Sequence, residues 1–289
     1  MTRIYLFPGQ GAQTVGMGRG LFELFPEQVA IADRVLGYSI VELCLDDPGG
    51  VLNQTKYTQP ALFVVNALTF LHHLIRTGEL PQVVAGHSLG EYNALFAAAA
   101  IDFETGVRLV QRRAELMAQA RDGGMAAVIG IDADKIRAAL EQAGLDSIDI
   151  ANLNTPLQTV ISGPEADLDR SQSVLEGAGA MLFKRLPVSA AFHSRYMSEA
   201  SRQFGLFLES VDIGLPRIPV MSNVTASFHD PLAMKTMLSR QISHPVRWLD
   251  AVLLLKRQPL PTFTELGPGN VLTGLNRRIE MESARASGH

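Results

Sequence analysis

The chain has a single cysteine, Cys44, so no disulfide can form within it, and a reducing compartment suits it. It has no basic excess: 25 Lys and Arg stand against 29 Asp and Glu, a formal net charge of −4. That disfavours a nucleic-acid partner, because a phosphate-binding surface needs clustered cations. It has no long apolar run. The most apolar stretch, Leu95 to Ile101 (LFAAAAI), falls far short of the ~20 residues that cross a bilayer. The amino terminus MTRIYLFPGQG has one basic residue and an apolar run that stops at Pro8, unlike a secretory signal. Cys and His are not paired at zinc spacing, and there is no internal repeat or low-complexity tract. These absences predict a soluble, cytoplasmic, monomeric protein with no metal and no membrane contact. What is present is apolar mass: 47% of 289 residues, enough for a sizeable core in one large domain or two modest ones.

Patterning along the chain gives an α/β order. Ile4–Phe7 is a short strand that ends at Pro8-Gly9, followed by the glycine-rich loop GQGAQTVGMGRG. Helical spacing runs over Gly20 to Val35 and Ile40 to Cys44, and Pro60 suits the first turn of a helix that is apolar nearly all round. Val83–Ala85 reads as a buried strand, EYNALFAAAA as a helix, and Glu104 to Ala120 as another. From Gly124 to Val188 the order becomes β-α-β-β-α-β, a ferredoxin-like arrangement. Beyond it come a helix near Ser198 to Glu209, a strand at Pro219–Ser222, a helix near Leu232 to Ile242 and a strand at Thr262 to Leu266; the last residues, ESARASGH, read as frayed. The expected architecture is an α/β-hydrolase-like body, residues 1–123 and 189–289, with a small ferredoxin-like subdomain inserted at 124–188. A cleft between two such units favours a ligand.

Ser88 lies in Gly86-His-Ser-Leu-Gly90, a G-x-S-x-G turn between a strand and a helix. On an α/β body this is a nucleophile elbow: small flanks permit the tight turn, and the following helix N-terminus offers N–H groups to an oxyanion, that of Leu89 among them. An ordinary glycine-rich turn is the plain alternative. A serine nucleophile needs a base. His72 and His73 sit in the buried-looking helix, His229, His244 and His289 in turn-like or terminal contexts, and His87 beside the serine points away from it. His193, where the inserted unit returns to the body, is placed at the cleft, with a satisfied surface histidine as the plain alternative. No acidic partner stands out between Ser88 and His193, and a backbone carbonyl can orient the imidazole instead. The glycine-rich loop does not match dinucleotide spacing.

The motifs FPGQGAQTVGMGRGLF, TQPAL, GHSLGEY, Arg113-x-x-x-Met117, GGMAAVIG, ANLNTPLQTVISG, AFHSRYM, HPVRW and ELGPGNVLTGL together resemble the malonyl-CoA:acyl carrier protein transacylase family, in its order and over residues 3 to 280. The chain is most similar to the discrete acyltransferases that serve polyketide synthases. The resemblance implies Ser88 as acyl-accepting nucleophile, His193 as general base, and the N–H groups of Gln10 and Leu89 as oxyanion hole. It implies Arg113 as the grip on the malonyl carboxylate, where spacing alone suggests a solvated arginine like Arg108 and Arg112. It further implies Gln241 as the residue whose carbonyl orients the histidine, and Phe192 as bulk that crowds an α-methyl group. Malonyl-CoA and an acidic, transiently bound acyl carrier protein are the implied partners, with no cofactor beyond the phosphopantetheine that the carrier brings. Lys184, Arg185, Arg195, Arg277 and Arg278 are candidates for a basic rim facing that carrier, each equally readable as solvated surface. Two rival readings stand beside transfer: a carrier-protein thioester hydrolase and a non-catalytic docking subunit. Ala12 and Ala114 depart from the family's usual serine and glycine, small for small, and Ala190-Ala191 replaces a more varied stretch.

Overall fold

A computed structural model describes residues 1–286, the last of them by its backbone alone. The chain opens with β1 (Thr2–Phe7), α1 (Pro26–Leu36), α2 (Ile40–Leu45), α3 (Thr55–Thr77), β2 (Val83–Gly86), α4 (Gly90–Ala97) and α5 (Phe103–Gln119). There follow β3 (Gly123–Ile129), α6 (Ala133–Gln142), β4 (Asp149–Thr155), β5 (Gln158–Pro164), α7 (Glu165–Gly177) and β6 (Leu182–Arg185). It closes with α8 (Ser198–Glu209), α9 (Met234–Gln241), α10 (Trp248–Leu255), β7 (Pro261–Glu265) and α11 (Val271–Ala286). Among the described residues no helix is long and apolar enough to cross a membrane.

Two sheets result. One is parallel, in the order β2-β1-β7, so β1 takes partners from distant parts of the chain on both edges. β1 and β2 are apolar on both faces, Ile4, Leu6, Val83 and Ala85 facing one core cluster and Tyr5, Phe7 and Val84 the other, as expected where helices cover both sides, whereas β7 is half-buried throughout. The other is antiparallel, in the order β4-β5-β3-β6, and is drawn wholly from residues 123–185. Alternation along β3 divides its work: Ala126 and Val128 join a local core with Ile136, Leu140, Leu168 and Leu175, while Met125 joins the main core.

Helix α5 shows how sequence sets the packing. Its N-cap Asp102 accepts the Thr105 N–H at 2.7 Å, satisfying one orphan donor of the first turn. Val107, Val110, Arg113, Ala114 and Met117 fall on one buried stripe at helical spacing. Gly106 lets it approach α3 closely, since a Cβ there would lie 2.1 Å from the Phe63 ring. Arg108 and Arg112 are on the outer face, paired with Glu104 and Glu115.

Several expectations are corrected. The first helix begins at Pro26, not Gly20; Gly20 has φ +80° and only one 3₁₀ turn, Phe22–Leu24, precedes it. Pro60 is the sixth residue of α3, inside the helix, where it removes one backbone donor. Pro219–Ser222 forms isolated bridges, Val220 to Val84 and Met221 to Phe228, rather than a strand, consistent with a proline that cannot donate to a ladder. Strand β6 stops at Arg185, short of Val188. Helix α10 has no counterpart in the sequence reading. Residues 282–286 are helical, and Glu282 accepts from Thr155 Oγ1 at 2.7 Å and from the Leu157 N–H at 3.0 Å.

Candidate active site

The turn between β2 and α4 closes because its flanks are glycines. A Cβ on Gly86 would lie 1.9 Å from the Gly90 carbonyl, and one on Gly90 would lie 2.0 Å from the Phe7 carbonyl oxygen. Ser88 at its apex has φ +51°, a left-handed conformation that costs an L-residue ~1–2 kcal/mol. The side chain of Asn223 braces it on one side, and Gln241 Nε2 donates to the Ser88 carbonyl at 2.8 Å on the other. Asn223 Oδ1 accepts the Ser88 N–H at 2.6 Å while its Nδ2 donates to the Gly86 carbonyl at 2.7 Å.

His193 reaches the serine from the far side of the cleft. Its backbone is also left-handed, φ +57°, and its N–H donates to the Ile242 carbonyl at 3.2 Å. Nδ1 donates to the Gln241 carbonyl at 2.7 Å, which leaves Nε2 as the acceptor for the Ser88 hydroxyl, 2.8 Å away. Burial, and then the nearby Arg113 guanidinium, push its pKa down to about 3. The imidazole is therefore neutral at ordinary pH and free to take a proton.

Arg113 is 1% exposed, so it is not the solvated arginine that spacing alone suggests. Nη1 donates to Gln59 Oε1 at 2.6 Å; Nη2 donates to Gln241 Oε1 at 2.9 Å and Ser88 Oγ at 3.1 Å. Its Nε is buried without a partner, and the guanidinium lies 5.6 Å from the Tyr92 ring centroid. Burial lowers its pKa, with Tyr92 and Glu91 acting in the opposite direction. Among the described residues no carboxylate forms an ion pair with it. A buried guanidinium with spare donors and no anion has the chemistry to hold a carboxylate through two charge-assisted hydrogen bonds.

Gln10, Ser88, Leu89, Arg113, Phe192 and His193 all line one cavity of about 290 Å³, so six of the seven sequence-named residues share a wall. Gln241, the seventh, is behind it and fully buried. Among the described residues neither the Gln10 nor the Leu89 N–H has a partner. Gly9 packs their loops together, since a Cβ there would sit 2.3 Å from the His87 carbonyl oxygen. A larger groove, about 660 Å³, lies beside Arg108 and Arg112 and contains none of these groups.

Four of the other histidines make hydrogen bonds or an ion pair elsewhere. His73 meets the Tyr5 hydroxyl at 2.9 Å, and His87 meets Asn154 Oδ1 at 2.9 Å. His244 is held by Arg240 and Ser243. His229 does not point into an open turn: its side chain is fully buried, 2.6 Å from the Glu91 carboxylate. His289 lies outside the described residues. Sequence reasoning also missed Gln59, Glu91 and Asn223. The first two stand in the quoted motifs TQPAL and GHSLGEY, which is the only signal they carried. Arg185 pairs with Glu165 and Asp169, and Arg195 with Asp149. Arg278 donates to Gln158.

Residues 4–282 match the acyl transferase domain family. The polyketide biosynthesis malonyl CoA-acyl carrier protein transacylase BaeC of Bacillus velezensis is 50% identical over 280 residues, 96% of this chain and 97% of that protein. The polyketide biosynthesis protein ThaF of Burkholderia thailandensis is 49% identical over 98% of this chain, which spans only 25% of ThaF. Among solved structures, a malonyl CoA-acyl carrier protein transacylase from Burkholderia pseudomallei superposes with a TM-score of 0.93 at 46% identity, covering 97% of this chain and 98% of that one. A malonyl-transacylase in complex with its type II polyketide acyl carrier protein gives 0.92 at 36% identity over 96% and 93%. With its serine elbow, its carbonyl-anchored histidine and this match along nearly its whole length, the chain belongs to the acyl transferase domain family.

Proposed function

We propose that this chain transfers a malonyl group from malonyl-CoA, through an ester on Ser88, to the phosphopantetheine thiol of an acyl carrier protein. The observation that carries the reading is the position of Arg113, whose Nη2 is 3.1 Å from the Ser88 hydroxyl. An acyl group joined at that oxygen and ending in a carboxylate meets the guanidinium; an acetyl group ends short of it. Polyketide assembly is the setting favoured by the names of the relatives near 50% identity.

In the proposed reaction His193 Nε2 takes the Ser88 proton as Oγ attacks the thioester carbon. The N–H groups of Gln10 and Leu89 receive the oxyanion, and Gln241 holds the imidazole through its carbonyl. The C–S bond breaks, His193 returns the proton to the leaving sulfur, and CoA departs. The carrier thiol then gives its proton to His193 and attacks the ester, restoring the Ser88 hydroxyl. Phe192 crowds the α-carbon and favours malonyl over a branched analogue by ~1–3 kcal/mol. The steps draw on no cofactor of the protein's own, and the cytoplasm, where CoA thioesters are made, is the proposed location.

We read the parallel sheet and its helices as an α/β-hydrolase-like body, residues 1–123 and 189–289. Residues 124–188 are read as a ferredoxin-like subdomain, supported by the order β4-β5-β3-β6. The function is tested by intact mass. Malonyl-CoA adds one malonyl group to the wild type and none to Ser88→Ala, acetyl-CoA loads far more slowly, and holo carrier protein removes the group as malonyl carrier. Equal loading of acetyl, or release of free malonate in place of transfer, overturns the reading.

A further inference from the structure

Behind the catalytic wall lies a carboxylate to which the reaction assigns no task. Glu91, in the first turn of α4, is fully buried, and three donors converge on it. Gln241 Nε2 donates to Oε2 at 2.7 Å, the Asn223 N–H donates to Oε2 at 3.2 Å, and His229 Nε2 meets Oε1 at 2.6 Å. A buried carboxylate is costly unless its oxygens are satisfied, so this convergence fixes all three partners as much as it satisfies Glu91.

Two of those partners touch the machinery. Gln241 spends both amide hydrogens on one side, on Glu91 and on the Ser88 carbonyl at 2.8 Å, which turns Oε1 towards Arg113. Asn223 is the brace of the Ser88 turn. From Glu91 to Arg113 the path is therefore one amide long: carboxylate, Gln241 Nε2–H, Gln241 Oε1, guanidinium. Arg113 gains an oriented acceptor without gaining a carboxylate that would compete for its fork.

Resting on the malonyl reading above, we infer that Glu91 is a positioning residue for acyl-group selection, holding Arg113 in register with Ser88 through the side chain of Gln241. Replacing Glu91 by an apolar residue of similar size frees one Gln241 N–H and the Asn223 N–H. Loss of the Asn223 contact slows malonyl and acetyl loading alike. Loss of the Gln241 contact falls more heavily on malonyl, because only malonyl brings a carboxylate for the arginine to hold, whereas acetyl meets Arg113 and Gln241 only through their contacts with Ser88 and His193. The ratio of the two rates isolates the second arm.

The experiment measures malonyl and acetyl loading in Glu91→Met, Glu91→Gln, Gln241→Met and the double variant Glu91→Met/Gln241→Met. Rates are taken per serine that reacts with an active-site phosphonate, so misfolded protein does not count. In Glu91→Met the malonyl-to-acetyl ratio falls about tenfold, the scale of weakening one hydrogen bond to a charged group. Glu91→Gln keeps an oxygen for Gln241 and Asn223 and a nitrogen for His229, and stays within about threefold of wild type. The double variant matches Gln241→Met, since both act through one amide. An unchanged ratio in Glu91→Met, a Glu91→Gln as impaired as Glu91→Met, or additive losses in the double variant overturns the inference. Where Glu91→Met yields no reactive serine, Gln241→Met carries the test, and an unchanged ratio there also overturns it. A wild type without malonyl preference overturns the proposed function itself, which separates the two failures.

Discussion

Ser88 and His193 stand 105 positions apart, and both hold a left-handed backbone, φ +51° and +57°, at the point where their side chains meet at 2.8 Å. Neither conformation is favoured by its own residue, so each persists because the surroundings over-determine it. For Ser88 the brace is the side chain of Asn223; for His193 it is the segment at 241–242, which takes both its N–H and its Nδ1–H. The two supports are joined by one residue: Gln241 holds the His193 ring through its carbonyl and donates from Nε2 to the Ser88 carbonyl at 2.8 Å.

The histidine's pKa gives a pH dependence with a definite sign. In the folded chain it is about 3, below the ordinary value of 6.5. Between those values the unfolded chain binds the extra proton, so stability is lost as pH falls from 6.5 towards 3 and is unaffected by this group above 6.5. For the same reason the acid limb of kcat/KM lies well below pH 6.5. Arg113→Ala removes the second-largest cause of the depression and shifts the limb upward, read with acetyl-CoA. A wild-type limb at or above 6.5 contradicts the neutral, buried imidazole.

Arg113→Lys keeps the charge and loses the fork. The three contacts made by Nη1 and Nη2 cannot be reproduced by one ammonium. Malonyl loading should fall by a factor of about 10–100, the range for loss of a hydrogen bond to a charged group, while acetyl loading changes little. Stopped-flow or quench-flow loading rates with both thioesters check this, and a lysine variant with unchanged malonyl preference contradicts it.

Glycine is required at one position and dispensable at another. Gly90→Ala drives a Cβ to 2.0 Å from the Phe7 carbonyl oxygen, a backbone atom that can yield only by moving β1, and should cost about 3 kcal/mol. Gly274→Ala, inside α11 with no atom within 4 Å of the new Cβ, should stabilise by about 1 kcal/mol. Urea unfolding of the two variants should move in opposite directions from wild type.

Charge reversal at Arg277 and Arg278 should raise the KM for carrier protein and leave serine acylation by malonyl-CoA unchanged. Both are exposed on α11, whose first turn borders the cavity. Arg185 and Arg195 are already neutralised by partners, so reversal there should matter less. Steady-state transfer at two ionic strengths separates a charge effect from a shape effect.

The sequence made Ser88 legible because a tight turn needs glycines at fixed offsets, and it made the antiparallel unit legible because period and spacing alternate cleanly there. Arg113 could have been found by pattern alone: it occupies the buried stripe of α5, an unusual place for an arginine, while Arg108 and Arg112 do not. Glu91, Asn223 and His229 were not legible. Their meaning lies in contacts spanning 132 to 138 positions, and each taken singly is an ordinary helix or loop residue. The strand expected at Pro219–Ser222 failed because its pairing stops at two isolated bridges, Val220 with Val84 and Met221 with Phe228.

Helix α11 leaves the parallel sheet after β7, runs past the cavity with Leu272 and Leu275, and ends by docking Glu282 on the turn between β4 and β5. It is thus a strut, joining the piece that carries Ser88 to the piece that carries the opposite wall. A sixteen-residue helix that both lines the cavity and is pinned to the opposite wall ties the two walls together, so shortening it before Glu282 should loosen the jaw while leaving Ser88, Arg113 and His193 in the chain.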